Sequence, residues 1–159
     1  MHPSDQEVQT VIARFDDVII QTVCRLLIPF IQIYGLYVIA HGHGSPGGGF
    51  QGGVILGASF ILLCLSYDVE EIKKRMSQKG NLLFISLGLI VYSGIGAVCM
   101  ILGGTYLDYS TLHKILFLNP VSARYMGILG IEVGVGITVM AVMISIFLDL
   151  SSFNGNEKG

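Results

Sequence analysis

Charged residues are scarce in this sequence: Asp, Glu, Lys and Arg together account for 13% of its 159 residues. Soluble domains carry about 25%. Tryptophan is absent, whereas 52% of the residues are hydrophobic and the mean hydropathy is +0.71. The shortage of charge excludes an ordinary soluble domain, and the long apolar runs predict an all-α integral membrane protein.

Basic residues and cysteines are also few. The net charge of −2 gives no sign of a nucleic-acid partner or of a polybasic membrane tether. The three cysteines, Cys24, Cys64 and Cys99, lie far apart in apolar segments without a CxxC pair, so we expect small buried side chains. Disulfide scaffolds, metal sites and cofactors are therefore not expected. No arrangement of Ser, Cys and His indicates nucleophilic catalysis, so the sequence does not predict an enzyme.

Four apolar runs are each long enough to cross a bilayer as a helix, which takes about 17–25 residues. We expect four transmembrane helices at about 18–40, 51–67, 81–103 and 126–148, in one membrane domain over residues 1–159. Ahead of the first span, the capping box Ser4–Glu7 and an apolar stripe from Val8 to Phe15 predict a short amphipathic helix. It would lie in the membrane interface or pack on a neighbouring subunit.

The distribution of basic residues indicates the orientation of the spans. Four of the nine Lys and Arg residues lie in the loop 68–80, between the second and third spans. Since cytoplasmic loops are enriched in Lys and Arg, this loop is expected on the cytoplasmic side, together with both termini. The protein is then a multi-pass protein of the cell membrane, and its 41–53 connection faces outward.

That connection, residues 41–53, is rich in glycine, which makes up seven of its thirteen residues. Part of it fits the pattern G-x-G-x-x-G, but a dinucleotide site requires a preceding strand in a βαβ unit, and here a membrane helix precedes it. Nucleotide binding is therefore not expected. The stretch predicts a tight corner between the first and second spans.

Glycine spacing predicts close helix packing. Gly49, Gly53 and Gly57 recur every four residues, and Gly130 with Gly134 gives the fourth span a matching face. Small residues at this spacing let helices approach closely in lipid, and irregular backbone at membrane depth must be covered by protein or line a watery cavity. We therefore expect this protein to have neighbours.

Glu132 is an acid inside the fourth span, about six residues or roughly 9 Å from its outer end. Intramembrane carboxylates usually face a cavity or a partner and often relay protons or bind cations. Glu132 is thus a candidate for an ion path. The alternative is a protonated or hydrogen-bonded acid at a subunit contact.

Three further polar residues are weaker candidates for that path. Arg25 lies in the first span, four residues before Pro29, where a kink is expected. It could hold an acidic side chain or extend to the cytoplasmic interface. Helical rise separates it from Glu132 by about 10 Å, so the two are not an obvious pair. His41 and His43, at the outer end of the first span, could pass protons or make structural hydrogen bonds.

The motif between the first two spans resembles a known family. Residues 43–53 resemble the H-x-x-P-G-G-G-F-x-G-G signature of the MnhB/MrpB family, and residues 25–29, 35–37 and 130–136 resemble its first and last spans. The motif residues are His43, Pro46, Gly47, Gly48, Gly49, Phe50, Gln51, Gly52 and Gly53. The resemblance covers about residues 20–148.

The resemblance implies a small membrane subunit of a multisubunit Na⁺/H⁺ antiporter. Such a subunit would help assembly with other membrane subunits and line part of a path for Na⁺ and H⁺, without being an antiporter alone. Related subunits occur in redox-driven complexes such as membrane-bound hydrogenases, so this alternative stays open. A weaker alternative is a scaffold without ion contact, in which the glycine faces serve assembly and Glu132 does not act.

Overall fold

A computed structural model describes the backbone of residues 5–44, 46–66 and 78–156, and the side chains of residues 18–44, 46–66 and 79–151. Over these residues the chain is helical and contains no strand, which confirms the all-α prediction. The helices are α1 (Asp5–Ala40), α2 (Gly49–Ser66), α3 (Gln78–Ile101), a 3₁₀ helix (Tyr109–Leu112), α4 (His113–Leu116) and α5 (Pro120–Asn156). Ser4 of the predicted capping box and most of the basic loop 68–80 lie outside the described residues.

Four of these helices are long and apolar enough to span a membrane, as predicted. Their spans are Val18–Ala40, Gly49–Ser66, Lys79–Ile101 and Pro120–Ser151. The second and third spans differ from the predicted bounds by at most two residues at each end. The fourth helix begins six residues earlier than the predicted 126, because Pro120 fits the first turn of a helix, where its missing N–H costs nothing.

The N-terminal segment does not form a separate helix. It is the first part of α1, which runs without interruption from Asp5 to Ala40 and continues through Pro29. The expectation of a short helix distinct from the first span is therefore wrong. No Gly or Pro stands between residues 5 and 28, so the sequence offers no residue that would break the helix there.

The four long helices form a row in the order α1, α2, α5, α3. Contacts between side chains show that α1 runs antiparallel to α2, α2 parallel to α5, and α5 antiparallel to α3. The helices at the two ends of the row, α1 and α3, make at most a marginal contact over the described residues. The row is therefore open, unlike a closed four-helix bundle.

The α2–α5 contact is built on the glycines that recur every four residues. Gly49 faces Glu132, Gly53 faces Gly136, and Gly57 faces Met140 and Met143, so that α5 also advances by about one turn at each step. A β-carbon on Gly53 would lie 2.7 Å from the carbonyl oxygen of Gly136. The prediction of a close contact surface is confirmed, and the helix that it meets is part of the same chain.

The second glycine face, Gly130 and Gly134, does not match the first one. It faces α3, where a β-carbon on Gly134 would lie 3.0 Å from the carbonyl oxygen of Gly88 and one on Gly130 would lie 2.7 Å from Ile95. The expected pairing of the two glycine faces is therefore wrong. Since both faces are covered within the chain, the glycine spacing does not itself argue for partner subunits.

Small and polar residues complete the α3–α5 contact. Asn81 is buried and donates a hydrogen bond of 2.9 Å from Nδ2 to the carbonyl oxygen of Ala141. At the other end of α3, Cys99 and Ala123 are fully buried against Leu112 of the 3₁₀ helix. Cys24, Cys64 and Cys99 are all buried and free, as predicted.

The two helices that flank α5 end at different heights along it. The first residue of α2, Gly49, lies beside Glu132, whereas Cys99 near the end of α3 packs on Ala123. These positions on α5 are nine residues apart, which is about 13 Å of helix. The start of α2 is thus recessed relative to the end of α3, and we call the α1–α2 connection, residues 41–48, the glycine corner.

Candidate functional site

The glycine corner surrounds the carboxyl group of Glu132. The backbone N–H of Gly49 donates a hydrogen bond to Oε2 of Glu132. A β-carbon on Gly42 would lie 2.9 Å from Cδ of Glu132, and one on Gly48 would lie 2.5 Å from the same atom. Three glycines from two sides therefore approach one carboxyl group more closely than any other residue type could.

The corner reaches this position through successive turns at the end of α1. The N–H of Gly42 donates to the carbonyl oxygen of Ile39 at 3.3 Å, and that of Gly44 donates to His41 at 3.1 Å. The Cα of Gly48 lies only 2.7 Å from the position of a Gly42 β-carbon, so the two ends of the corner touch. A side chain at either glycine would separate them or displace Glu132.

Glu132 acts as a helix cap supplied by another helix. The first N–H groups of an α-helix lack partners within the helix and are usually satisfied by a side chain at the N-cap. The residue before α2 is Gly48, which has no side chain, and α2 has no acid in its first turn. The carboxylate of Glu132 satisfies the N–H of Gly49 instead, where the positive end of the α2 dipole favours a negative charge.

Two histidines and two tyrosines form a chain of rings at the rim of the corner. The ring of His41 stacks on Tyr37 at 4.1 Å between centroids and lies 6.4 Å from that of His43. His43 packs against Tyr125 of α5 at 3.9 Å, and its Nε2 is hydrogen-bonded to the Tyr125 hydroxyl. The rings thus connect α1 to α5 across the corner.

Tyr125 was not among the candidate residues predicted from the sequence. It stands seven residues before Glu132, which places both on the same face of α5, two turns apart. This spacing was the signal available in the sequence. It becomes informative only once His43 is known to lie beside α5.

A cavity of about 400 Å³ opens beside the ring chain at the C-terminal end of α1. Its lining includes Tyr34, Tyr37, His41, His43 and Gln51, together with the turn at Pro46. Hydroxyl, imidazole and amide groups therefore surround a space large enough for several water molecules. Glu132 is not among the residues that line this cavity.

The remaining motif residues have distinct positions. Phe50 is 67% exposed and points away from the row, whereas Gln51 folds back so that its amide oxygen contacts Gly47. Gly52 faces α1, where a β-carbon would lie 2.8 Å from the carbonyl oxygen of Gly35. The glycines of α2 therefore serve two helices, Gly52 for α1 and the Gly49–Gly53 face for α5.

Arg25 is not part of this cluster. It is exposed on α1, fifteen residues before Ala40, and this distance corresponds to about 22 Å of helix. The corner that follows Ala40 touches Glu132, so the separation of Arg25 from Glu132 is larger than the 10 Å expected from the sequence. The structure brings His41, His43 and Glu132 to one end of the row and leaves Arg25 nearer the other.

Metal ligation finds no support among the described side chains. No group of three His, Cys, Asp or Glu residues there could hold a metal ion. The acids among them are Asp108, Glu132 and Asp149, and these are spread over the 3₁₀ segment, the middle of α5 and its far end. Glu132 is consequently the single carboxylate at the corner.

Comparison with known proteins places these features in a family. The model of the domain related to the MnhB subunit of Na⁺/H⁺ antiporters matches residues 19–145, which include the glycine corner and Glu132. Proteins named "Putative antiporter subunit mnhB2" from Staphylococcus aureus strains Newman and JH1 are 31% identical to this chain over 137 residues. The alignment covers 86% of this chain and 95% of each relative.

Proposed function

The chain belongs to the family of domains related to the MnhB subunit of Na⁺/H⁺ antiporters, and we propose that it works as a membrane subunit of a multisubunit Na⁺/H⁺ antiporter. The four apolar helices and the relatives' names support a transporter subunit rather than an enzyme. The relatives are named as antiporter subunits, so the hydrogenase-type alternative is not favoured.

The partners of this chain are other membrane subunits of the complex. The open row supports this, because α1 packs mainly on α2, with a smaller contact on α5, and α3 packs mainly on α5. Their exposed faces are apolar and include Phe30 and Ile33 on α1 and Leu83 and Ile90 on α3, each more than half exposed. Such faces suit both lipid and the transmembrane helices of neighbouring subunits.

Within the complex, this chain lines part of the ion path at Glu132. The observation that supports this most directly is the position of a single carboxylate in the middle of the row, next to a recess and to a cavity lined by His41 and His43. Intramembrane acids are expensive and usually functional. Arg25 is excluded from this part of the path because of its distance.

Replacement of Glu132 by Gln in the intact complex tests the path. Gln retains an oxygen that can accept the Gly49 hydrogen bond but cannot take part in proton exchange. We therefore expect normal assembly and loss of most Na⁺-driven proton flux in membrane vesicles. Asp149→Asn is the matched control, since it makes the same acid-to-amide change at an exposed position seventeen residues further along α5. Wild-type flux in a normally assembled Glu132→Gln complex would refute the path.

The scaffold alternative predicts a different pair of results. If this chain only supports assembly, Gly53→Leu prevents assembly, because its side chain would collide with the α5 backbone at Gly136, while Glu132→Gln has no effect on flux. Because Gly53→Leu disturbs the α2–α5 contact under either hypothesis, the flux of Glu132→Gln is the result that separates a path from a scaffold.

We further propose that both termini are cytoplasmic and that the glycine corner faces outward. Four of the nine basic residues lie in the 68–80 loop, which supports the orientation by the positive-inside rule. A reporter fused to the C-terminus that proved to be external would overturn it.

A further inference from the structure

We propose that the species exchanged at Glu132 is a proton and not a sodium ion, and that the charged form of Glu132 holds the N-terminus of α2 against α5. The proposal rests on the proposed role of Glu132 in the ion path and names the ion at that residue. It follows from the chemistry of the groups around the carboxylate.

The atoms around the carboxylate are unsuited to a cation. Hard cations bind several oxygen ligands at once, from carboxylates, carbonyls, hydroxyls or water. The hydrogen bond that reaches Oε2 comes instead from the N–H of Gly49, a donor whose positive end faces the carboxylate. No second carboxylate lies at the corner among the described side chains, since Asp108 and Asp149 are elsewhere. A sodium ion would have to displace the Gly49 N–H and would gain only one carboxylate.

The glycines around the carboxyl group also leave little room for a sodium ion. Gly42 and Gly48 bring backbone within contact distance of Cδ and Oε1, leaving no space for an ion with its own ligand shell on those sides. A proton needs no such shell. Uptake forms an O–H bond on one carboxyl oxygen and release breaks it, so the carboxyl group needs no additional ligand.

Titratable groups other than Glu132 lie on the glycine corner, on α5 and on the α3 side. The glycine corner carries His41 and His43, and α5 carries Tyr125 two turns away. On the α3 side, burial is the main cause that raises the pKa of Tyr109, and smaller contributions come from neighbours including Tyr92, Tyr106 and Glu132. The described part of α2 contains no Asp, Glu, His, Lys or Arg, so the capped helix contributes no charged side chain of its own.

Protonation changes the strength of the cap. A hydrogen bond to an ionised carboxylate is about twice as strong as one between neutral groups, and the helix dipole favours only the charged form. The charged state of Glu132 therefore stabilises the docked N-terminus of α2, and the protonated state loosens it. Proton occupancy at Glu132 is thereby coupled to the position of the glycine corner.

Infrared difference spectroscopy of the purified intact complex tests the ion assignment. The carboxylic-acid C=O band of Glu132 is identified by its loss in Glu132→Gln, and it is titrated with pH at two Na⁺ concentrations that differ tenfold. Choline keeps the ionic strength constant. We expect the same titration midpoint at both concentrations. Direct competition by Na⁺ would lower the midpoint by up to about one pH unit and would overturn the proposal, as would a Glu132 band that does not titrate.

A second variant tests the cap. In Gly48→Ala the new β-carbon would lie 2.5 Å from Cδ of Glu132 and push the carboxyl group away from the Gly49 N–H. Because this removes a bond that favours the charged form, the band should titrate at a higher pH. Gly94→Ala is the control, since no atom lies within 4 Å of a β-carbon there. An unchanged midpoint in Gly48→Ala would refute the cap.

These results are independent of the flux measurement. Wild-type flux in Glu132→Gln refutes the path while leaving a sodium-independent titration intact. A sodium-dependent midpoint refutes the proton assignment while leaving a role in ion transport intact.

Discussion

Replacement of Gly53 by alanine should weaken the docking of α2 on α5. A β-carbon at Gly53 would lie 2.7 Å from the Gly136 carbonyl oxygen and 3.0 Å from its Cα. Both are backbone atoms, so neither can rotate away. Restoring an ordinary contact of 3.4 Å requires the two helices to separate by about 0.7 Å at this point.

The free-energy cost of separating the helices depends on the contacts in the turns before and after Gly53. Glu132 above and Met143 below are packed on Gly49 and Gly57, and these contacts loosen when the helices move apart. Overpacking a tight contact costs about 1–3 kcal/mol. This corresponds to roughly a 5- to 150-fold fall in the ratio of docked to undocked α2.

A graded series of glycine-to-alanine variants provides the assay. Gly57→Ala would meet mainly the side chain of Met143, at 3.1–3.2 Å, which is flexible and can yield, so its cost should be below about 1 kcal/mol. Gly44→Ala meets no atom within 4 Å and should be neutral. The measurement is the fraction of this subunit that remains in the purified complex after graded heating. If Gly53→Ala were as heat-resistant as Gly44→Ala, the close α2–α5 contact would be refuted.

Two further predictions concern polar groups outside the corner. Asn81→Ala should destabilise the α3–α5 contact by about 0.6 kcal/mol, and by at most about 1.7 kcal/mol, because it removes the side-chain donor to the Ala141 carbonyl oxygen within a membrane helix pair. The same heating assay measures this loss. Ser86→Ala, at an exposed position of α3, is the control. The Ser110 hydroxyl holds the pKa of Asp108 below its ordinary value, so Asp108 should stabilise the 3₁₀ helix above about pH 3.9 and lose this effect as the pH falls through its lower folded value. Hydrogen exchange at residues 109–112 checks this, and Asp108→Ala should abolish the acid dependence.

The helices were predictable because each span is a nearly continuous apolar run with a recognisable end. The start of α2 at Gly49 lies within two residues of the predicted bound, whereas the start of α5 at Pro120 was missed by six residues, because the apolar run alone begins later. The row order was not predictable. The periodicity of the Gly130–Gly134 face does not indicate whether it meets α3 or α2. All four spans are similarly apolar, and three contain small residues at helical spacing.

The site was only half predictable for a related reason. Glu132 stands out as an acid in an apolar run, and the glycine-rich stretch stands out by composition, but they are 83 residues apart in the chain. From the sequence, Glu132 is a candidate for ion chemistry and the glycine-rich stretch is a candidate for helix packing. Their contact depends on the recessed start of α2, which is a property of the α2–α5 register and not of either segment.

The glycines of the corner and Glu132 depend on each other structurally. A helix that begins part of the way along its neighbour exposes backbone N–H groups where little water is available to satisfy them. A side chain at Gly48 could supply a cap locally, but it would occupy the space through which Glu132 reaches Gly49. Because Gly48 has no side chain, the cap of α2 is supplied by α5. Because that cap is an acid, the group that fixes α2 is also one that can take up a proton. An ordinary N-cap serine would hold the helix equally well and could not do this.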